Sequence, residues 1–194
     1  MHVLNAKVIF TIGIVLWFII RIPYQREQQS NNIVNELQST EDRIIRFFVI
    51  AGILFIPLIY ILSPWLNFAN YYLPIWVNGL GVVTFVVSLW LFWRAHDDLG
   101  KNWSPTLQIR EGHTLTTNGV YRSIRHPMYT SVLLLGIAQA LLLPNWLAGL
   151  AGLVSFSIAY ATRIDQEEQM LLEQFGDDYS AYKKNTKRLF PHLF

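Results

Sequence analysis

The chain of 194 residues contains no cysteine and little charge. Without thiols it forms no disulfide, thiolate nucleophile or cysteine-ligated metal site, and its redox compartment leaves no mark on the sequence. Only 14% of its residues are charged, where a soluble domain carries roughly a quarter. The net charge is only +2, with no basic stripe on a polar domain, so no nucleic-acid partner is expected. No Gly-rich dinucleotide fingerprint stands between a strand and a helix. Internal repeats, low-complexity tracts and room for a separate soluble domain are also missing.

What remains is apolar. Hydrophobic residues make up 53% of the chain, and the mean hydropathy is +0.31. Five apolar runs stand out, at 3–20, 44–62, 71–93, 128–143 and 146–161. They predict an all-α, polytopic helical membrane protein with five transmembrane helices, the last two a C-terminal hairpin joined at Pro144-Asn145. The two hairpin cores span only about 24 Å each, short of the roughly 30 Å hydrocarbon layer, so their helices should extend into polar sequence. The last should run past Glu168 towards Phe175, with Gly176 as its C′ residue and a short surface helix over 177–184. The first run is expected to be an uncleaved helix, because Arg21 and Arg26 follow it and no small-residue cleavage site does.

Five spans put the termini on opposite sides. Every Lys and Arg except Lys7 then falls on the C-terminal side or its boundary, and the connections 63–70 and 144–145 carry none. This asymmetry predicts a cytoplasmic C-terminus and an N-terminus outside. Residues 1–194 are expected to form one integral-membrane domain: 1–98 supply three helices, and 99–194 a polar loop, the hairpin and the tail. The polar stretch 25–42 leaves two readings. Ile33, Val34 and Leu37 have helical spacing for a short interfacial helix, and a plain loop fits as well. Thr40, Glu41 and Asp42 look like a helix start, Pro57 like a kink and Gly100 like a cap. Gly79 and Gly81 suit either close helix packing or an ordinary membrane helix.

The least membrane-like part is the connection 94–125, long among otherwise short links and therefore a place to look for function. His96, Asp97 and Asp98 are adjacent rather than spaced as ligands, which argues against a metal. The connection ends in Gly119-Val120-Tyr121-Arg122 and Arg125-His126-Pro127-Met128-Tyr129. Pro127 suits the first turn of a helix, which puts Arg125 and His126 at a helix entrance that favours an anion. Arg122 and Arg125 also serve as positive-inside anchors on a plainer reading. Arg163 and Glu167 lie four apart on one helical face where the last span leaves the bilayer. They form either an i,i+4 ion pair or part of a site facing the bundle.

These segments, followed by Glu167-Glu168, Phe175-Gly176, Tyr179, Tyr182, Thr186, Arg188-Leu189 and Pro191, resemble the isoprenylcysteine carboxyl methyltransferase family, including its prokaryotic homologues. The related membrane phospholipid methyltransferases share the pattern, which covers about the second half of this chain. The resemblance implies methyl transfer from S-adenosylmethionine to the C-terminal carboxylate of a prenylated cysteine, or a similar lipophilic carboxylate, with S-adenosylhomocysteine as product. It implies a cytoplasmic cofactor site built from Gln108, His113, Thr114, Leu115, Thr116, Tyr121, His126, Pro127, Met128, Tyr129 and Glu167. Arg163 would hold the acceptor carboxylate, and with Glu167 form the catalytic pair. The implied partners are a lipid-modified cysteine or other lipophilic acceptor and membrane lipid, with the oligomeric state open. Two alternatives stand beside it: a lipid-amine methyltransferase of the same fold, and a non-enzymatic membrane adaptor whose polar groups do not converge.

Overall fold

The computed structural model describes residues 3–28, 33–36, 40–100, 108–110 and 114–191, with side chains for 5–25, 40–100 and 114–191. Five main helices follow in order: α1 Val3–Gln28, α2 Thr40–Leu62, α3 Ile75–Leu99, α4 Pro127–Leu142 and α5 Trp146–Asn185. Four of them are long and apolar enough to cross a membrane; α4, at 16 residues, is apolar but shorter. It lies between α3 and α5, so its apolar surface is largely covered by protein. Large apolar side chains elsewhere, among them Ile12 and Ile19 of α1, Phe47 and Phe48 of α2 and Val83 and Val86 of α3, face outward. That surface suits hydrocarbon rather than water.

The core joins Phe10 and Ile14 of α1, Tyr60 of α2, Phe85 of α3, Leu135, Ala138 and Leu142 of α4 and Ala148 of α5. The Pro144-Asn145 link is tight, as expected. Asn145 caps α5 by accepting from Leu147 N and Ala148 N, and its amide donates to Leu66 O at 2.6 Å and Asn70 Oδ1 at 2.9 Å. Gly81 packs on Leu141 and Leu142, whereas Gly79 has open space around it.

Pro57 acts on α2 through its missing N–H. The turn before it, Ala51–Phe55, is π-helical, with Ile56 N donating to Ala51 O. In that pattern the carbonyl of Gly52 would look to position 57 for a donor, and proline offers none. Gln139 Nε2 of α4 donates to it instead, at 2.9 Å. Gly52 must also be glycine on spatial grounds, since an added Cβ would lie 2.5 Å from Ala151 O of α5. Proline, glutamine and glycine together seat α2 against the hairpin.

Residues 33–36 correct the sequence reading. They form neither a helix nor a plain loop, but a strand, β1 Ile33–Glu36, paired antiparallel with β2 Gln108–Arg110. The β-branched pair Ile33-Val34 favours an extended chain, and the long polar connection supplies the partner edge. Leu37 lies outside the described residues. Gly100 caps α3 at φ 51° and Gly176 breaks α5 at φ 52°, both in the left-handed region that suits glycine. Asp97 and Asp98 pair with Arg94 at 2.9 and 2.5 Å. Asp98 also accepts from Val120 N at 2.8 Å, which ties the end of the polar connection to α3.

Candidate functional site

The site is assembled at the entrance of α4. His126 occupies the N-cap position and Pro127 the first turn, as their order in sequence predicts. The C-terminal tail is laid across this entrance like a strap. Arg125 N donates to Lys187 O at 2.7 Å, His126 N to Arg188 O at 3.0 Å, and Thr130 Oγ1 to Leu189 O at 2.7 Å. Backbone groups that the helix start would leave open are thereby satisfied by a segment some sixty residues on.

Opposite stands α5, carrying Arg163, Glu167 and Glu168. Tyr129 Oη donates to Glu167 Oε2 at 2.5 Å. His126 stacks beside Tyr129, with its Nδ1 3.6 Å from Glu167 Oε1 and its Nε2 3.4 Å from Glu168 Oε1. These last contacts are ionic rather than hydrogen-bonded, being longer than a well-formed bond. Burial disfavours a charged imidazole at His126, but the two carboxylates outweigh it and hold its pKa above the ordinary value.

Glu168 is the hub. Its side chain is 3% exposed and meets Arg125 at 2.9 Å, Lys183 at 2.9 Å and Arg188 at 3.0 Å. Arg125 also donates through Nη1 to Thr186 O and Lys183 O. One buried carboxylate thus joins α4, α5 and the tail. Tyr121, in a short turn over Gly119–Arg122, is buried, and burial pushes its hydroxyl pKa well up. Its carbonyl accepts from Tyr182 Oη at 2.6 Å.

Arg163 departs from the simplest expectation. Its ion partner is Asp42 at the start of α2, with Nε to Oδ1 at 3.3 Å, rather than Glu167 four residues on. Glu167 is engaged by Tyr129 and His126, and the helix-face pair gives way to a pair between helices.

Tyr121, Arg125, His126, Tyr129, Arg163 and Glu167 of this assembly line a cavity of about 610 Å³, whereas Asp42 and Glu168 stand behind them. Of the expected site residues, Thr114, Leu115, Thr116, Tyr121, His126, Met128, Tyr129, Arg163 and Glu167 line it. Pro127 is buried and sets the helix start instead. Gln108 lies in β2, but its side chain is outside the described residues, and so is His113 altogether. Apolar side chains line the cavity too, among them Ile14 and Trp17 of α1, Ile45, Val49 and Ile53 of α2 and Phe156 of α5. Sequence reasoning placed Arg125 beside His126 at the anion-favouring entrance without its partner, and it missed Asp42 and Glu168 and also this apolar wall. For the wall the available signal was weak, because an apolar residue on a membrane helix reads as lipid-facing. For Glu168, adjacency to Glu167 was the usable signal. Among the described residues no cluster of three metal-ligating side chains is found.

His126 sets a pH dependence. A group whose folded pKa is raised contributes stability that is complete below its unfolded value, about 6.5, and is lost as pH rises through the folded one. The melting temperature of the wild type should therefore exceed that of His126→Gln most below about pH 6.5, and the gap should narrow as pH rises above that value. A gap that widens with pH would mean that the imidazole is neutral in the fold.

Residues 79–173 match the family model described as the isoprenylcysteine carboxyl methyltransferase family. The human protein-S-isoprenylcysteine O-methyltransferase is 29% identical over 141 residues, covering 68% of this chain and 50% of the relative. Enzyme B of that name from Arabidopsis thaliana is 30% identical over 120 residues, 61% of each chain. The Dictyostelium discoideum protein of that name is 34% identical over 95 residues, 47% of this chain and 40% of its own. The solved structure of the eukaryotic intramembrane Ras methyltransferase superposes with a TM-score of 0.56 at 23% identity, covering 81% of this chain and 54% of that one. The fold is therefore shared. The chain spans about half the length of the human relative.

Proposed function

From the premise that this chain is a relative of the isoprenylcysteine carboxyl methyltransferase family through residues 79–173, we propose that it methylates the C-terminal carboxylate of a prenylated cysteine or a similar lipophilic acid. The observation that carries this reading is one cavity lined by both charged and apolar side chains. His126, Tyr129, Arg163 and Glu167 line it together with apolar side chains of α1, α2 and α5. A molecule with a charged head and a long apolar tail fits such a space.

The methyl donor in this reading is S-adenosylmethionine, which supplies an electrophilic methyl group on a sulfonium. Partly buried Glu167, already accepting from Tyr129, suits its ammonium or hydroxyl groups, and Tyr121 and Tyr129 suit its ring or cation. Thr114, Leu115, Thr116 and Met128 line the same cavity, with Gln108 and His113 assigned to it by the resemblance. Arg163 pairs with the acceptor carboxylate. That carboxylate has a pKa near 3.5 and is ionised at neutral pH, so no general base is needed. The protein's work is to hold two opposite charges in line in a dry site. The proposed orientation has the N-terminus outside and the charged side chains of the cavity towards the cytoplasm, as the Lys and Arg distribution favours.

The test is to titrate purified protein in detergent with S-adenosylhomocysteine by calorimetry, then to assay a farnesylated cysteine analogue against a lipid amine. Saturable binding and carboxylate methylation are expected. A carboxylate acceptor should give a kcat/KM nearly flat from about pH 6.5 to 8, whereas an amine without a base climbs about tenfold per pH unit. Methylation of the amine alone would move the assignment to lipid amines, and no binding at all would favour an adaptor.

A further inference from the structure

We propose that Asp42 is a positioning residue for the acceptor, holding Arg163 by its Nε edge so that the terminal Nη groups are left for the incoming carboxylate. The inference rests on the reading of Arg163 as the acceptor's partner. Asp42 lies outside the matched residues 79–173.

Five observations carry it. Asp42 is only 6% exposed, although an acid in the first turn of a helix needs no partner beyond the helix dipole to be favourable. It is buried against Arg163 of another helix, at 3.3 Å from Nε. That Nε makes no hydrogen bond in the structure, so the contact orients the guanidinium by charge without clamping the fork that a carboxylate would use. Arg163 makes no other ion pair among the described residues, and its side chain lines the cavity. Finally, Asp42 begins the stripe of α2 that continues through Arg46, Val49 and Ile53, spaced for one helical face, and these three line the same cavity. The acid therefore stands at the head of the acceptor wall. An orienting carboxylate at the side of an arginine restricts its rotamers before the substrate arrives, which lowers the entropy lost on binding.

The experiment compares wild type, Asp42→Asn, Arg163→Gln and the double variant, as full-length protein in detergent. The acceptor KM of Asp42→Asn should rise about tenfold. Its S-adenosylhomocysteine affinity should stay within about twofold, since Glu167, His126 and Tyr129 are untouched. Added to Arg163→Gln, the Asp42→Asn change should cost nothing more, because both act through one guanidinium. A lowered acceptor KM would make Asp42 a competitor for the anion site and overturn the proposal. So would an unchanged KM, or losses that simply add. If the wild type binds S-adenosylhomocysteine but methylates no carboxylate, the functional reading falls and takes this inference with it. Wild-type turnover with an unaffected Asp42→Asn sinks the inference alone.

Discussion

Glu168→Gln is expected to destabilise the protein by about 3–5 kcal/mol, the cost of breaking a buried ion pair and leaving charge uncompensated. The substitution keeps the shape of the side chain and removes its charge. Arg125 donates to Glu168 Oε1 through Nε at 3.0 Å and meets it through Nη2 at 2.9 Å, while Arg188 and Lys183 share Oε2 at 3.0 and 2.9 Å. A glutamine offers one acceptor oxygen and turns an NH₂ group towards a guanidinium. Arg125 is itself 9% exposed, so water does not replace what is lost. The tail is bound to the α4 entrance by the same cluster, and melting of residues 186–189 should accompany the loss. The comparison is Lys183→Met, whose side chain is 47% exposed and whose removal should cost less than about 1 kcal/mol. Thermal unfolding in detergent checks both. Equal losses for the two variants would mean that Glu168 is no hub.

The hub also explains which parts of the site were legible in sequence. Membrane helices announce themselves because hydrocarbon demands long apolar runs, and Pro127 announces a helix start because its ring fixes the backbone. Gly100 and Gly176 were legible for the same local reason. Long-range pairings were not. The sequence places Glu167 four residues from Arg163, and local spacing then favours their pairing. It carries no sign that Asp42, more than a hundred residues earlier, competes for that arginine and leaves Glu167 to Tyr129 and His126. The strap at Lys187 to Leu189 is nearly as silent, because its carbonyls accept from the main-chain N–H groups of Arg125 and His126 whatever the side chains, and only the Thr130 hydroxyl and the Arg188 guanidinium add side-chain contacts. The strand at Ile33–Glu36 was misjudged through its spacing, since Ile33, Val34 and Leu37 match a helical face. Its extended form depends on a partner more than seventy residues on. The inward face of α2 is hidden for a different reason. Its apolar residues towards the cavity and towards lipid are of one chemical type, and only packing separates Val49 and Ile53 from Phe47 and Phe48.

Arg163→Leu should lower kcat/KM for a carboxylate acceptor by about 2–5 kcal/mol, roughly thirtyfold to several thousandfold, in the role proposed for it. The loss has two sources: the acceptor's carboxylate enters the cavity without its counter-charge, and buried Asp42 loses its ion pair with Arg163. The second source is a matter of stability, so the leucine variant alone does not separate the two. Arg163→Lys does. The ammonium keeps Asp42 neutralised and keeps a positive charge at the cavity wall, but it has no planar fork to meet both oxygens of a carboxylate. Its expected melting temperature is close to that of the wild type, while kcat/KM for the acceptor still falls about tenfold. Donor binding is the internal control. Glu167, Tyr129 and His126 hold one another through contacts that omit Arg163, so S-adenosylhomocysteine affinity should change by less than about threefold in the lysine variant. A lysine variant that loses donor affinity as steeply as acceptor turnover would place Arg163 in the donor pocket. The carboxylate would then need another partner, and Arg46, which lines the same cavity from α2, would be the next cation to replace.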